Sequence, residues 1–99
     1  QRLKPMTDFF SAIEKDGRIS VTHITVYTAL LFLWEQSGYR NPIAAFSYQI
    51  MDIAKISARM TYRRCVRDLS DFGYLVYEPS YKSNQASKIY LKGQLFPNR

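Results

Sequence analysis

Arg59, Arg63, Arg64 and Arg67 lie close together between Ser57 and Gly73, and the acids of that stretch, Asp68 and Asp71, come only after them. A guanidinium is a planar fork of donors, a geometry that pairs with carboxylates, phosphate oxygens and the O6 and N7 acceptors of guanine. Spacing decides whether the four act together. Read as a helix, Tyr62, Cys65, Val66 and Leu69 recur at three- and four-residue steps and form one inward stripe, which Phe72 extends. Arg59, Met60, Thr61, Arg63, Arg64 and Arg67 are left facing outward. Cations first and anions last is the reverse of what a helix macrodipole favours, so stability does not explain the arrangement. The competing expectation is a solvated face in which Arg59, Arg63 and Arg67 pair at i,i+4 spacing with acids such as Asp71.

Other chemistry is scarce. With a single cysteine, Cys65, no intrachain disulfide forms, and with one histidine, His23, no zinc site assembles from protein ligands. Cys65 is expected as a small buried hydrophobe. His23 is expected at the surface, in the first turn of a helix. Ser20, Thr22 and His23 are near one another, yet no neighbouring acid orients the histidine as a base, and neither a Gly-rich phosphate loop nor a placed carboxylate pair is present. The expectation is a chain that is not an enzyme, with no cofactor, no metal and no small-molecule ligand.

The elements that must position the arginine helix are legible from apolar spacing. Met6, Phe9, Phe10 and Ile13 have helical periodicity and define a short first helix from Met6 to Glu14, stopped by Asp16-Gly17. Thr22 is the expected N-cap of a second helix over His23 to Gln36, with Gly38 beyond its end. Ile24, Tyr27, Leu31 and Trp34 share one face of it, and Ala29, Leu30 and Leu33 widen the stripe, so this helix should be central and buried. Tyr39 to Pro42 is a loop, Ala44 to Tyr48 an edge strand, and Gln49 to Lys55 a two-turn helix with Ile50, Ile53 and Ala54 inward. Ser57 is placed to cap the arginine helix, which runs from about Ala58 to Phe72 with Gly73 as its left-handed stop. Tyr74 to Glu78 and Lys88 to Lys92 then read as two antiparallel strands.

These expectations describe one domain over residues 1–99, mainly α with a small β-hairpin, an α+β chain with no membrane-spanning run. A net charge of +6 attracts polyanions. The first residue is Gln1, which suggests a processed form or a piece of something longer. The polar stretch between the last two strands offers Tyr81, Lys82, Asn84, Gln85 and Lys88, a mix of cation, amide and aromatic suited to a phosphate backbone or a minor groove.

A short helix, a brief turn, a longer helix and a β-hairpin follow one another in the order of winged helix-turn-helix domains. Asp52-Ile53-Ala54-Lys55-Ile56-Ser57, then Thr61 to Leu69, then Gly73-Tyr74-Leu75-Val76-Tyr77-Glu78-Pro79-Ser80, with the Leu69 to Tyr74 punctuation Leu-x-x-x-Gly-Tyr, resemble the winged-helix DNA-binding proteins of bacterial mobile elements and of replication or transcription regulators. The resemblance implies a three-helix core plus wing, with the helix-turn-helix over about 49–72 and the wing over about 74–92. It also implies sequence-specific binding of double-stranded DNA by a cytoplasmic, bacterial regulator. Arg59, Thr61 and Arg63 are then the expected base-edge contacts. Lys55, Ser57, Arg64 and Arg67 join them on the helix side, the cations on phosphates, while Tyr81, Lys82, Asn84 and Lys88 serve the wing. Such wings often carry Gly at the tip, a place Asn84 would have to fill. A homodimer is a further expected partner, joined through the first helix or Leu95-Phe96. Part of a replication initiator or excision factor is the alternative role, and a protein-interaction module is another.

Overall fold

In the computed structural model, which describes residues 4–80 and 86–91, the chain forms four helices and a three-stranded sheet. They are α1 (Lys4–Ile13), α2 (Val21–Gln36), β1 (Ile43–Ala45), α3 (Ser47–Ala54), α4 (Arg59–Asp71), β2 (Leu75–Glu78) and β3 (Ser87–Leu91). The α+β expectation holds. The expected hairpin is joined by β1 as an edge strand, shorter than and shifted from the one expected over Ala44 to Tyr48, and the strand order is β1-β3-β2 with both pairings antiparallel. No helix among the described residues is long and apolar enough to cross a membrane.

Because α2 is apolar around most of its circumference, it serves as the centre on which α1, α3, α4 and β1 pack. Val26, Tyr27, Ala29, Leu30 and Trp34 are buried, whereas Ile24, Leu31 and Leu33 are only partly so. The helix begins differently from the sequence expectation. Ser20, not Thr22, is the N-cap, because the His23 ring reaches back and its Nδ1 accepts the Ser20 N–H at 2.9 Å. Ser20 Oγ in turn accepts the His23 N–H over a longer 3.5 Å, closing a reciprocal box. At the other end Gly38 takes φ +80, which lets Tyr39 N–H return to the Trp34 carbonyl at 2.8 Å.

The sequence between Ala44 and Tyr48 divides rather than forming one strand. Ile43–Ala45 pairs with β3, and Ser47 onward is helical, with Gln49 Oε1 accepting the Phe46 N–H at 2.8 Å at the junction. Asn41 extends the sheet edge with its side chain: its amide donates to the Leu91 carbonyl at 2.7 Å and accepts the Leu91 N–H at 2.9 Å. In α3, Ile50 and Ala54 point inward as expected. Ile53 does not, being 37% exposed.

α1 is anchored through Phe9, with Ala12 and Ile13 partly buried against the core. Phe9 is buried and stacks on Tyr27 at 3.9 Å, while Met6 and Phe10 remain exposed. The loop after α1 is tied to the far end of the chain through Asp16, which accepts from Arg18 Nε and a terminal guanidinium nitrogen at 2.8 Å each and from the Tyr74 hydroxyl at 2.7 Å. Arg18 also lies 4.0 Å over the Phe72 ring.

Two stability predictions follow from these contacts. The buried Tyr27 hydroxyl has no hydrogen-bond partner among the described residues, and an unpaired buried hydroxyl costs roughly 1–3 kcal/mol. Tyr27→Phe should therefore raise stability by about 1 kcal/mol in urea melts, and a drop would mean that the hydroxyl is bonded. Arg18, and then Tyr74, hold the Asp16 carboxyl well below the usual carboxylate range. Its contribution is complete above the unfolded value near pH 4 and drains away as pH falls below it. Urea midpoints from about pH 4 down to about pH 2 should thus fall less steeply in Asp16→Asn than in the parent; parallel curves would refute the link.

Candidate nucleic-acid interface

The buried face of α4 is the one its spacing defines: Tyr62, Cys65, Val66 and Leu69 are all within the core. Burial pushes the Cys65 thiol up, in keeping with a packing role rather than a reactive one. Opposite them, Arg59, Met60, Arg63, Arg64 and Arg67 are exposed. Thr61 is half-buried, so it offers less to a ligand than the sequence reading assigns to it.

The acids expected near these cations are engaged elsewhere or stand apart. Asp68 Oδ2 lies 2.9 Å from His23 Nε2, across the α2–α4 contact. His23 is only 6% exposed, which corrects the surface placement read from sequence. Its Nδ1 accepts from Ser20, so a neutral ring carries its proton on Nε2 and donates it to Asp68. Asp71 is exposed one turn beyond Arg67, yet among the described residues no acid comes within ion-pair distance of Arg59, Arg63, Arg64 or Arg67. The solvated-face expectation of i,i+4 pairing is therefore not met.

Asp68 also supplies the acid that sequence reasoning did not find beside Ser20 and His23. Ser20 Oγ is 2.9 Å from His23 Nδ1, so serine, histidine and aspartate stand in a row. The single lone pair on Nδ1 is, however, already met by the Ser20 amide N–H, which cannot leave it. The row serves as a helix cap with an interhelical strut. Among the described residues no group of three His, Cys, Asp or Glu side chains could hold a metal ion.

Around the N-terminus of α4 the structure adds groups that sequence reasoning gave no role. Arg59 donates to Ser47 Oγ at 3.2 Å, which draws its guanidinium back across the turn to the start of α3. Beside Ser47, the rings of Phe46 and Tyr48 stack at 5.6 Å, and Tyr48 is 61% exposed. Ser47 and Tyr48 were hidden by their assignment to a strand or its end. Ser57 is exposed but is not the cap: the Tyr62 N–H bonds to the Ala58 carbonyl, which makes Ala58 the capping position. Lys55, exposed in the turn between α3 and α4, has φ 63.

On the sheet, Lys88 is exposed and lies directly across from Glu78 on β2 and Ala44 on β1. Tyr81, Lys82, Asn84 and Gln85 fall outside the described residues. The structure thus brings Lys55, Ser57 and the four arginines to the α3–turn–α4 region, with Lys88 on the separate sheet. Comparison with protein-family models, with curated proteins and with solved structures returned no match to this chain.

Lys55 occupies a left-handed conformation that costs an L-residue with a Cβ roughly 1–2 kcal/mol and glycine almost nothing. Lys55→Gly should raise the urea midpoint by the equivalent of up to about 1 kcal/mol, after offsetting the greater freedom of glycine in the unfolded chain. A midpoint that falls would contradict this backbone assignment.

Proposed function

We propose that the chain binds double-stranded DNA as a winged helix-turn-helix domain, with α4 in the major groove. The observation that carries this reading is a row of exposed arginines, without an acid at ion-pair distance among the described residues, on a helix whose opposite face is locked in the core. Arg63, Arg64 and Arg67, with no acid at ion-pair distance among the described residues, keep their hydrogen-bonding capacity for an outside polyanion, and the exposed face of a helix fits the major groove. The order α3, a brief turn, α4 and the β2–β3 hairpin supports the winged-helix assignment. On this reading Arg63 contacts base edges, Arg64, Arg67 and Lys55 contact phosphates, and Lys88 on the sheet serves the wing. Arg59, held by Ser47, takes a position nearer the phosphate strand than the groove floor.

A sequence-specific transcriptional regulator is the role this mode of binding serves best, with a replication initiator or excision factor using the same surface. The exposed Met6 and Phe10 on α1 favour that helix as the dimer contact that pairs two half-sites.

Titration of the chain against random-sequence duplex between about 50 and 200 mM salt tests the reading, since each neutralised phosphate adds about 0.9 to the slope of log affinity against log salt. Binding should weaken steeply across that range. Arg67→Ala should weaken every duplex alike and lower the slope by about one, whereas Arg63→Ala should cost about 1–3 kcal/mol on a selected site and less on random DNA. An absence of duplex binding at low salt would instead favour an acidic protein partner.

A further inference from the structure

We propose that Met60 reads the C5 methyl group of a thymine, so that the bound site carries a T·A pair next to the base contacted by Arg63. This inference rests on the duplex-binding reading and deepens it by naming a feature of the target sequence.

Met60 is 79% exposed, on a face otherwise made of arginines. Single exposed hydrophobes are ordinary on protein surfaces, so exposure alone decides nothing. Position does. Met60 heads the stripe continued three, four and seven residues later by Arg63, Arg64 and Arg67, and all four are exposed. It sits in the first turn of α4, and helical Cβ atoms lean toward the N-terminus, so its side chain extends the leading tip of the helix. That tip penetrates furthest when a helix enters the groove end-on.

At the groove floor a base pair presents acceptors, donors and one apolar group, the thymine methyl. Arg63 matches the acceptors. The Met60 thioether makes no strong hydrogen bond, and its unbranched, polarisable chain adapts to a methyl surface. Placing it against polar edges alone would strip their hydration without replacing it. Arg59, the other exposed first-turn side chain on this surface, is engaged by Ser47, whereas Met60 is 79% exposed and apolar.

The test uses a duplex recovered from a random pool on the wild-type chain, resynthesised with each thymine singly replaced by uracil, which pairs identically but lacks the methyl. One such replacement should weaken binding by about fourfold, the worth of one buried carbon group. In Met60→Ala that difference between thymine and uracil should vanish, and in Met60→Leu it should persist. Since the side chain is in solvent, neither variant should alter the melting temperature. Uracil tolerated at every position, or a uracil penalty undiminished in Met60→Ala, overturns the methyl contact while leaving duplex binding standing. A chain that recovers no duplex overturns both readings together.

Discussion

The structure depends on one constraint: α4 has to bury Tyr62, Val66 and Leu69, with Cys65 between them, against α2. At 3.6 residues per turn, a stripe at those positions forces residues 59, 60, 63, 64 and 67 to the opposite side. Magnitudes show how firmly. Each large apolar side chain taken from water contributes roughly 1.5–3 kcal/mol. Repulsion between arginines four apart costs a few tenths of a kcal/mol per pair, and cations at the positive end of the helix cost up to about 1 kcal/mol. Burial wins easily, and the arginines are carried outward with no electrostatic reason of their own to be there. Their unfavourable placement is a small, tolerated cost.

Rotation of α4 about its own axis is fixed by polar contacts at its C-terminal half. Asp68 meets His23 in the first turn of α2, where the helix dipole also favours an anion. One turn further, Phe72 lies under Arg18, and Tyr74, just past the helix, donates to Asp16. Gly73 makes the reversal possible at φ +93, bringing the Tyr74 N–H to the Leu69 carbonyl at 2.9 Å. Toward the N-terminus of α4 the polar side-chain attachment among the described residues is lighter, a bond from Arg59 to Ser47. The helix is thus held at the end remote from its cationic tip, which leaves the tip accessible.

What the sequence made legible is what periodicity and glycine encode. The buried and exposed faces of α4, the centrality of α2, the stops at Gly38 and Gly73 and the pairing of the last two strands all depend on local pattern. The misplacements occur where a distant or side-chain partner decides. Thr22 and Ser20 are equally good cap types, and the choice falls to Ser20 because the His23 ring completes the box. His23 reads as a surface residue until Asp68, 45 residues away, is brought to it. Ser57 has the chemistry of a cap, but the left-handed turn at Lys55 sets the helix start one residue later. Ile53 fits the helical pattern of α3, yet an eight-residue helix is too short to bury a wide arc. Of the interface, the arginines were readable and Ser47 was not, because its contribution depends on how α3 and α4 meet.

The distribution of charge also ranks the two elements of the proposed interface. Lys88 faces Glu78 across the β2–β3 ladder, and opposite charges at directly paired positions attenuate each other's field. Among the described residues the arginines of α4 have no acid within ion-pair distance, and of the two acids on the same helix Asp68 is tied to His23 while Asp71 lies at its C-terminal end. Field strength outside the protein is set by uncompensated charge, and it decays over roughly 10 Å at ordinary salt. Of these two elements, α4 therefore presents the stronger uncompensated positive charge. On the duplex-binding reading, the helix supplies both the encounter and the discrimination, and the described part of the sheet serves to orient it.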